Sequence, residues 1–228
     1  MSVSPAITPL EVPAGIGAVV VMGGSFDPVH LGHVEFAIWA RQQVQAWGRG
    51  PVWVVFVPAS RSPFKVHPPG ASDADRVQML RLAIREVPDA SVWSDELDRA
   101  GEASYTIDTL RRARQLLDRG GNASTKVYLL VGADQAAGFH RWREAREILK
   151  LAQPLVVGRD HLDVAGLLAP HWEEAELRVW EAGMVRAPER DVSSTSARAA
   201  LRAGDDAKLA ALLDPLVAGY ARERGLYR

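Results

Sequence analysis

The sequence predicts an α/β protein with a Rossmann-like, doubly wound parallel sheet and helices at its C-terminal end. Short apolar runs alternate with helical patterns along the chain, as in folds where strands and helices follow one another. A glycine-rich turn joins the first apolar run to a helical pattern. With 47% hydrophobic residues, the 228-residue chain can bury the core that such a sheet needs.

The first half of the chain supplies two strands and two helices. Residues 18–22 are an apolar run that predicts a buried strand, and residues 34–40 predict the helix after it. A second strand is predicted at 52–57, where an apolar run ends at Pro58. Residues 73–87 predict a helix, because acids at the start precede apolar residues at helical spacing.

The next part of the chain continues the alternation. Residues 91–94 predict a short strand, and residues 106–119 predict a helix that two glycines stop. A strand at 126–131 ends at a Gly-Ala-Asp sequence. A helix at 144–151 and a strand at 154–157 complete the predicted sheet.

The two ends of the chain differ in pattern. Three prolines fall within residues 1–17, where we expect a flexible N-terminal arm, and residues 18–228 are predicted to form a single domain. The least regular part, residues 160–191, is expected to be a helical excursion. The predicted C-terminal helices span 195–203, 207–213 and 216–224.

Composition narrows the function classes. The formal net charge is −1, which gives no general attraction to nucleic acid or to an anionic membrane. No apolar run approaches the ~20 residues of a membrane span, and the N-terminus lacks the pattern of a signal peptide. Because the chain has no cysteine, it has no disulfide framework or thiolate site. We expect a cytoplasmic protein, and the composition is compatible with a homo-oligomer.

The string from Gly23 to His33, Gly-Gly-Ser-Phe-Asp-Pro-Val-His-Leu-Gly-His, follows the first predicted strand. A strand, a glycine-rich turn and a helix start bring backbone N–H groups to a phosphate. His30 and His33 are three residues apart, so they share one helix face. Capping and packing remain the alternative role for either histidine alone. The spacing matches neither the dinucleotide fingerprint nor the P-loop.

A second polar string lies near the C-terminus, at the start of a predicted helix. Ser194 and Thr195 can cap that helix and also donate hydroxyl groups to a phosphate. Arg198 lies about one turn further on and can reach the same anion. A plain helix cap with a solvated arginine is the alternative interpretation.

The carboxyl ends of the predicted strands gather the candidate residues at one edge of the sheet. The glycine-histidine turn follows the first strand, and residues 58–65 follow the second. Gly132 and Asp134 follow the strand at 126–131, and Arg159 follows the strand at 154–157. Ligands of open α/β sheets bind at this edge, near a topological switch point.

Taken together, the two strings resemble the defining motifs of the nucleotidyltransferase superfamily with the H-x-G-H signature. The segment Ser-Tyr-Thr-Ile-Asp-Thr-Leu at 104–110, Gly132-Ala133-Asp134 and Phe-His-Arg-Trp at 139–142 are similar to segments of its nicotinate mononucleotide adenylyltransferase branch. The resemblance implies the reaction of ATP with nicotinate mononucleotide to give nicotinate adenine dinucleotide and pyrophosphate, in NAD biosynthesis. Its partners would be these two substrates, with no nucleic acid or membrane.

The resemblance also implies roles for individual residues. The catalytic set is His30, His33, Lys65 and Arg198. The ATP-binding set is Gly24, Ser25, Phe26, His30, Gly32, His33, Gly132, Asp134, Ser194, Thr195 and Arg198. The substrate-binding set is Thr106, Asp108 and Trp142, which face the mononucleotide, with Arg159 added from its place after a strand. Phe64 is a departure, because the family usually has a histidine immediately before the lysine.

The reaction that the resemblance implies needs no strong general base. The attacking group is a phosphate oxygen that is already ionised at neutral pH, so alignment and charge neutralisation matter most. We expect Mg²⁺ to be bound mainly through the ATP phosphates and find no carboxylate cage for it. Asp27, in the turn, is interpreted as structural.

Other functions stay open at this point. A sister enzyme could use nicotinamide mononucleotide, although a helix N-terminus near Thr106 favours the acid. Phosphopantetheine as the substrate is disfavoured by chain length, the 105–110 segment and Trp142. A catalytically silent nucleotide-binding regulator of the same fold is a further alternative, which the intact His30 and His33 disfavour. A dehydrogenase is disfavoured by the missing fingerprint.

Overall fold

A computed structural model gives the structure of the protein and describes residues 8–60, 68–99, 103–158, 164–186 and 191–228. Within these residues, six strands form one parallel sheet with the order β3-β2-β1-β4-β5-β6. The order reverses between β1 and β4, which makes their carboxyl ends the switch point. The strands are β1 (Ala18–Gly24), β2 (Val52–Pro58), β3 (Ala90–Val92), β4 (Lys126–Gly132), β5 (Gln153–Gly158) and β6 (Met184–Arg186).

Helices connect successive strands and complete the chain. The helices in the first two thirds are α1 (Leu31–Ala46), α2 (Asp73–Ile84), α3 (Asp95–Asp98), α4 (Thr106–Arg119), α5 (Ala133–Ala137) and α6 (Ala145–Leu151), with a 3₁₀ turn at Phe139–Arg141. The later helices are α7 (Val164–Leu168), α8 (Glu174–Glu181), α9 (Ser194–Ala203), α10 (Asp206–Leu212) and α11 (Pro215–Glu223). None of the helices among the described residues is long and apolar enough to cross a membrane.

Both faces of the sheet are covered, which confirms the predicted doubly wound fold. Alternate residues of β1 point to opposite faces. Val20 packs in one core with the side chains of α1, α2 and α9 to α11, whereas Val19 packs in the other core with α4 and α6. Both valines are fully buried, and each contributes about 1.5–3 kcal/mol through its burial. Because both faces are apolar, the strands are continuous apolar runs.

The element bounds agree with the predicted ones except at a few ends. The helix after β1 begins at Leu31, three residues earlier than predicted, because His30 is extended and starts it as a cap. The predicted helix at 73–87 ends at Ile84, since Val87 precedes a proline and such residues avoid the helical region.

Residues 160–191 are only partly the helical excursion that the sequence predicts. Two helices lie in the described part, but they are followed by β6, which pairs with β5 at the sheet edge. This strand was missing from the prediction because it is short and lies in the least regular part of the sequence, where no apolar run marks it. Gly183, just before it, is required: a Cβ there would lie 1.8 Å from the carbonyl oxygen of Pro154.

The described part of the predicted N-terminal arm lies against the domain. Trp93 donates its indole N–H to the carbonyl of Thr8 at 3.0 Å. Asn122 accepts from the N–H of Gly15 at 3.0 Å and donates to the carbonyl of Pro13 at 3.2 Å. The boundary at residue 18 and the flexibility of the arm stay predictions.

Candidate active site

The loop after β1 is held in place by a buried arginine side chain. Arg76, on α2, is fully buried and donates from Nη1 to the carbonyl oxygen of Ser25 at 2.7 Å. Its Nη2 donates to Asp73 at 2.6 Å. The ring of Phe26 covers Gly24, where a Cβ would lie 2.9 Å from the ring. Arg76 was not predicted, because nothing in the local sequence pattern distinguishes it from an exposed helix arginine.

The two histidines form one stacked unit at the start of α1. Their ring centroids are 3.6 Å apart with an interplanar angle of 25°, and the Phe26 ring meets His33 edge-on at 5.0 Å. The N–H of His30 donates to Nδ1 of His33 at 3.2 Å. Because Nδ1 of His33 accepts, its proton lies on Nε2, which makes Nε2 a donor.

Burial sets the protonation state of His30. Loss of solvent lowers the pKa of its imidazole from 6.5 to about 4, so the ring is neutral at pH 7. Its Nδ1 is buried and has no hydrogen-bond partner among the described residues. A neutral, stacked histidine pair at a helix N-terminus can donate hydrogen bonds to phosphate oxygens.

Gly32 joins the two sequence motifs by close packing. A Cβ at this position would lie 2.5 Å from Cγ2 of Val192, which is just before α9. The first motif can therefore approach the second only with glycine here.

The start of α9 is docked on the loop after β1, which brings together the two motifs that carry the family resemblance. Ser194 donates from Oγ to the carbonyl oxygen of Pro28 at 2.9 Å. Arg198 donates from Nη1 to the carbonyl oxygen of Asp27 at 2.7 Å and from Nη2 to Oγ1 of Thr195 at 3.2 Å. Three predicted anion ligands, Ser194, Thr195 and Arg198, therefore lie at the N-terminal end of α9 and next to the loop after β1.

Asp27 is bound up in the fold, in agreement with its interpretation as structural. Its carboxylate accepts from the N–H groups of Gly70 at 2.8 Å and Ala71 at 3.0 Å. It also accepts from the hydroxyl of Tyr227 at 2.8 Å. Burial, followed by the hydrogen bond to Asp27, raises the pKa of Tyr227 far above its ordinary value. Tyr227 was missed because 200 positions separate it from its partner.

A cavity of about 420 Å³ opens between the carboxyl ends of β1 and β4. Its walls are mainly apolar, and Thr106 and Trp142 of the predicted substrate set line it. One face of the Trp142 indole stacks on Phe139, with centroids 4.5 Å apart. The walls also carry polar residues that were not among the predicted site residues, although three of them lie in the segments that resemble the family: Ser104, Thr109 and Arg141 within those segments, and Glu96, Gln135 and Arg143 outside them.

Glu96 is the buried acid of this cavity. It accepts from the hydroxyls of Thr109 and Ser104, and burial raises the pKa of its carboxyl group. Ser104 in turn accepts from the N–H of Ser60 at 3.0 Å. The cavity wall is thereby tied to the residue that precedes the undescribed part of the loop after β2.

Among the other predicted residues that the structure describes, Gly24 and Ser25 line the cavity and the rest do not. Asp108 pairs with Arg143 at 3.6 Å and Arg111 at 3.8 Å, and within the described residues it does not line the cavity. Gly132 and Asp134 are exposed at the end of β4, the strand next to β1. Lys65 and Arg159 lie outside the described residues, as do Phe64 and the rest of 61–67.

Metal ligands are absent as a preformed group: the described residues contain no cluster of three or more His, Cys, Asp or Glu that could hold an ion. Asp27, the acid within the loop after β1, already accepts hydrogen bonds from three donors. The donor set fits a cation that arrives on phosphate oxygens rather than in a protein cage.

Comparison with known proteins shows which family the chain resembles. Residues 21–200 match the family model described as cytidylyltransferase-like. A protein of Stenotrophomonas maltophilia named probable nicotinate-nucleotide adenylyltransferase is 36% identical over 223 residues, covering 90% of this chain and 95% of its own. A relative with the same name from Rhodopirellula baltica is 36% identical over 194 residues and 83% of either chain.

Solved structures support the fold independently of sequence. The nicotinic acid mononucleotide adenylyltransferase of Plasmodium falciparum, complexed with NaAD, matches with a TM-score of 0.65 and 17% identity. The match covers 92% of this chain and 97% of that one. At this identity the likeness concerns the arrangement of strands and helices.

Proposed function

This chain belongs to the cytidylyltransferase-like family, and we propose that it transfers the adenylyl group of ATP to nicotinate mononucleotide, giving nicotinate adenine dinucleotide and pyrophosphate. It is a nucleotidyltransferase of NAD biosynthesis. One observation carries the proposal: α9 is docked on the β1–α1 loop through Ser194 and Arg198, so one triphosphate can be held from both sides.

The phosphate chemistry fits the groups around the loop. A phosphate oxygen of the mononucleotide attacks the α-phosphorus of ATP, the bond to the β-phosphate oxygen breaks, and pyrophosphate leaves with that electron pair. His33, with its proton on Nε2, and the neutral His30 donate to phosphate oxygens as charge shifts. Arg198 and Thr195 hold the leaving pyrophosphate. Lys65 is proposed to assist near the phosphates.

The cavity of about 420 Å³ suits the pyridine mononucleotide. Thr106 begins α4, whose first N–H groups favour a carboxylate. Arg141 and Arg143 on the walls also favour an acid over an amide. Trp142 is proposed to stack on the pyridine ring, with Asp108 and Arg159 nearby. These features support nicotinate over nicotinamide.

The nucleotide brings its own cation in this proposal. Mg²⁺ would be held by phosphate oxygens and water and would neutralise charge on the leaving group. The adenosine would lie beside Gly132 and Asp134 at the switch point. A cytoplasmic location is proposed with the reaction, which needs no thiol or disulfide.

A pyrophosphate-release assay with ATP, Mg²⁺ and each mononucleotide in turn tests the proposal. We expect release with nicotinate mononucleotide and a kcat/KM at least about tenfold lower with nicotinamide mononucleotide, since one lost charged contact costs about 1.4 kcal/mol or more. Equal or reversed values would overturn the preference for the acid.

The same assay separates the enzyme from a silent regulator. His33→Ala should lower turnover by about 100-fold or more while circular dichroism stays unchanged, because a donor to the reacting phosphates is lost. Undiminished turnover would refute the role of His33, and no release with the unaltered protein would favour the regulator.

A further inference from the structure

A second cavity, of about 750 Å³, lies beyond Arg198. It shares Ser25 and Asp27 with the loop after β1, and Thr195 and Arg198 with α9. Its remaining walls come from the segment 68–70, from Arg202 on α9 and from the C-terminal residues 225–228. An anion that leaves Arg198 therefore enters this cavity without crossing the apolar one.

The walls of this cavity are positively charged. Arg198, Arg202 and Arg228 line it, and Asp27 is the one acidic side chain among the described lining residues. The carboxylate of Asp27 is directed to the N–H groups of Gly70 and Ala71 and to the Tyr227 hydroxyl. Its charge is therefore partly compensated before any ligand arrives.

Two of the three arginines are available to a ligand. Arg202 and Arg228 make no hydrogen bond or ion pair with any residue that the structure describes, and both are exposed at the rim. Other surface arginines, such as Arg111 and Arg222, are paired with acids. The guanidinium of Arg228 lies over Gly225, where a Cβ would be 3.2 Å from its Cζ.

We propose that Arg202 and Arg228 form an outer anion site that receives inorganic pyrophosphate after it leaves Thr195 and Arg198. The inference rests on the proposed function, which makes pyrophosphate the leaving group. Pyrophosphate carries several charges and many acceptor oxygens, and guanidinium groups bind such oxygens in pairs. The volume leaves room for the ion with bound water and Mg²⁺.

Titration of the full-length protein with inorganic pyrophosphate tests the site without any turnover. Isothermal titration calorimetry should show Kd raised about tenfold in Arg202→Gln and in Arg228→Gln, as expected when a charge-assisted contact is lost. Arg222→Gln, which removes an exposed arginine of α11 outside the cavity, should stay within about twofold of the unaltered protein. Arg202→Lys keeps the charge and should give an intermediate Kd.

Product inhibition supplies the second measurement. The inhibition constant of pyrophosphate against ATP should rise by a similar, about tenfold, factor in both glutamine variants. Unchanged Kd values in folded Arg202→Gln and Arg228→Gln proteins would overturn the outer site, and so would an equal rise in Arg222→Gln.

The proposed reaction and the outer site can fail separately. If the unaltered protein forms no dinucleotide but its pyrophosphate Kd still depends on Arg202 and Arg228, the reaction is wrong and the anion site stands. If dinucleotide forms and both variants bind pyrophosphate normally, the reaction stands and the outer site is wrong.

Discussion

His30, at the start of α1, makes the stability of the fold depend on pH. Burial lowers the pKa of His30 to about 4, whereas a histidine in the unfolded chain titrates near 6.5. Between these values the unfolded chain binds a proton that the folded chain does not, so acidification through this window favours unfolding. Above pH 6.5 both states are neutral at this residue, and its destabilising effect disappears.

His30→Gln removes this titration. The unaltered protein should lose roughly 1–2 kcal/mol of unfolding free energy relative to His30→Gln between pH 7 and pH 5. Urea denaturation at the two pH values measures the difference. A difference between the proteins that is the same at both values would show that His30 is not depressed.

Glu96 was invisible in the sequence, yet it connects both walls of the substrate cavity. It holds Thr109 and Ser104, and Ser104 holds the backbone of Ser60. In Glu96→Gln, the amide group offers one acceptor oxygen where the carboxylate offers two, so one of these hydroxyls loses its acceptor. The wall then loosens where the mononucleotide is proposed to bind.

The expected result is a KM for nicotinate mononucleotide raised about tenfold, with the KM for ATP within about twofold, because the ATP groups lie on another loop. Steady-state kinetics with each substrate varied gives both values. Asp98→Asn, on the same short helix but outside the cavity lining, should change neither. Equal changes in both KM values would contradict a local role for Glu96.

At the scale of single residues, the sequence predicted those with a local motif and missed those without one. His30, His33, Ser194 and Arg198 are found together because each lies at a helix start, where exposed N–H groups have a defined use. Arg76 and Glu96 hold their neighbours through buried hydrogen bonds. Burial depends on the whole fold and leaves no local sequence pattern.

At the scale of elements, the docking of α9 on α1 depends on Gly32 and Val192. Gly32→Ala places a methyl group 2.5 Å from Cγ2 of Val192, so the two helix starts must separate. Overpacking of this kind costs about 1–3 kcal/mol. We expect a corresponding loss of unfolding free energy and weaker ATP binding.

A double-mutant cycle isolates this contact. Val192→Ala frees the space, so Gly32→Ala should cost much less in that background and regain most of the ATP affinity. Thermal unfolding and ATP titration of the four proteins measure both effects. Additive losses would show that the glycine is needed for another reason, such as approach of the ligand to the main chain.

Strand prediction succeeded where strands are long and buried on both faces. The runs that became β1, β2, β4 and β5 are apolar without alternation, as a doubly covered parallel sheet requires. β6 was not predicted, because no apolar run marks it within the irregular segment 160–191 and it takes its conformation from pairing with β5. Helix ends shifted by a few residues, since caps depend on a conformation that the apolar period does not specify.

At the scale of the whole molecule, the C-terminal region of the chain is hydrogen-bonded to the loop after β1. Asp27 accepts from Tyr227, so the loop after the first strand is fastened by the last helix region. Tyr227→Phe should lower the unfolding free energy by about 1–2 kcal/mol and weaken ATP binding, because a buried carboxylate loses a donor.

Tyr220→Phe is the matched control. Tyr220 donates to Asp75 at 2.8 Å. This is also a hydrogen bond from a tyrosine to a buried carboxylate, but it does not involve the loop after β1. That variant should lose stability but keep its ATP affinity, as measured by denaturation and titration. If Tyr227→Phe also keeps its ATP affinity, the link between the C-terminus and the loop is only structural.

The molecule as a whole was the most predictable level. Alternation of strands and helices leads to a parallel sheet, and the sheet order brings the carboxyl ends of β1 and β4 together. That rule predicted that the segments following the four long strands meet at this edge, whereas the pairing of the two end motifs was implied by the family resemblance. The closure by Tyr227 did not, because no periodic pattern relates residues 200 positions apart.

The bond between Asp27 and Tyr227 also bears on when, during synthesis, the site can exist. The loop after β1 is synthesised 171 residues before Arg198 and 200 residues before Tyr227. A growing chain can therefore form the central strands and their helices while the nucleotide site still lacks one side. The site can hold the triphosphate from both sides only after Arg198 has been made and α9 has docked on the loop after β1.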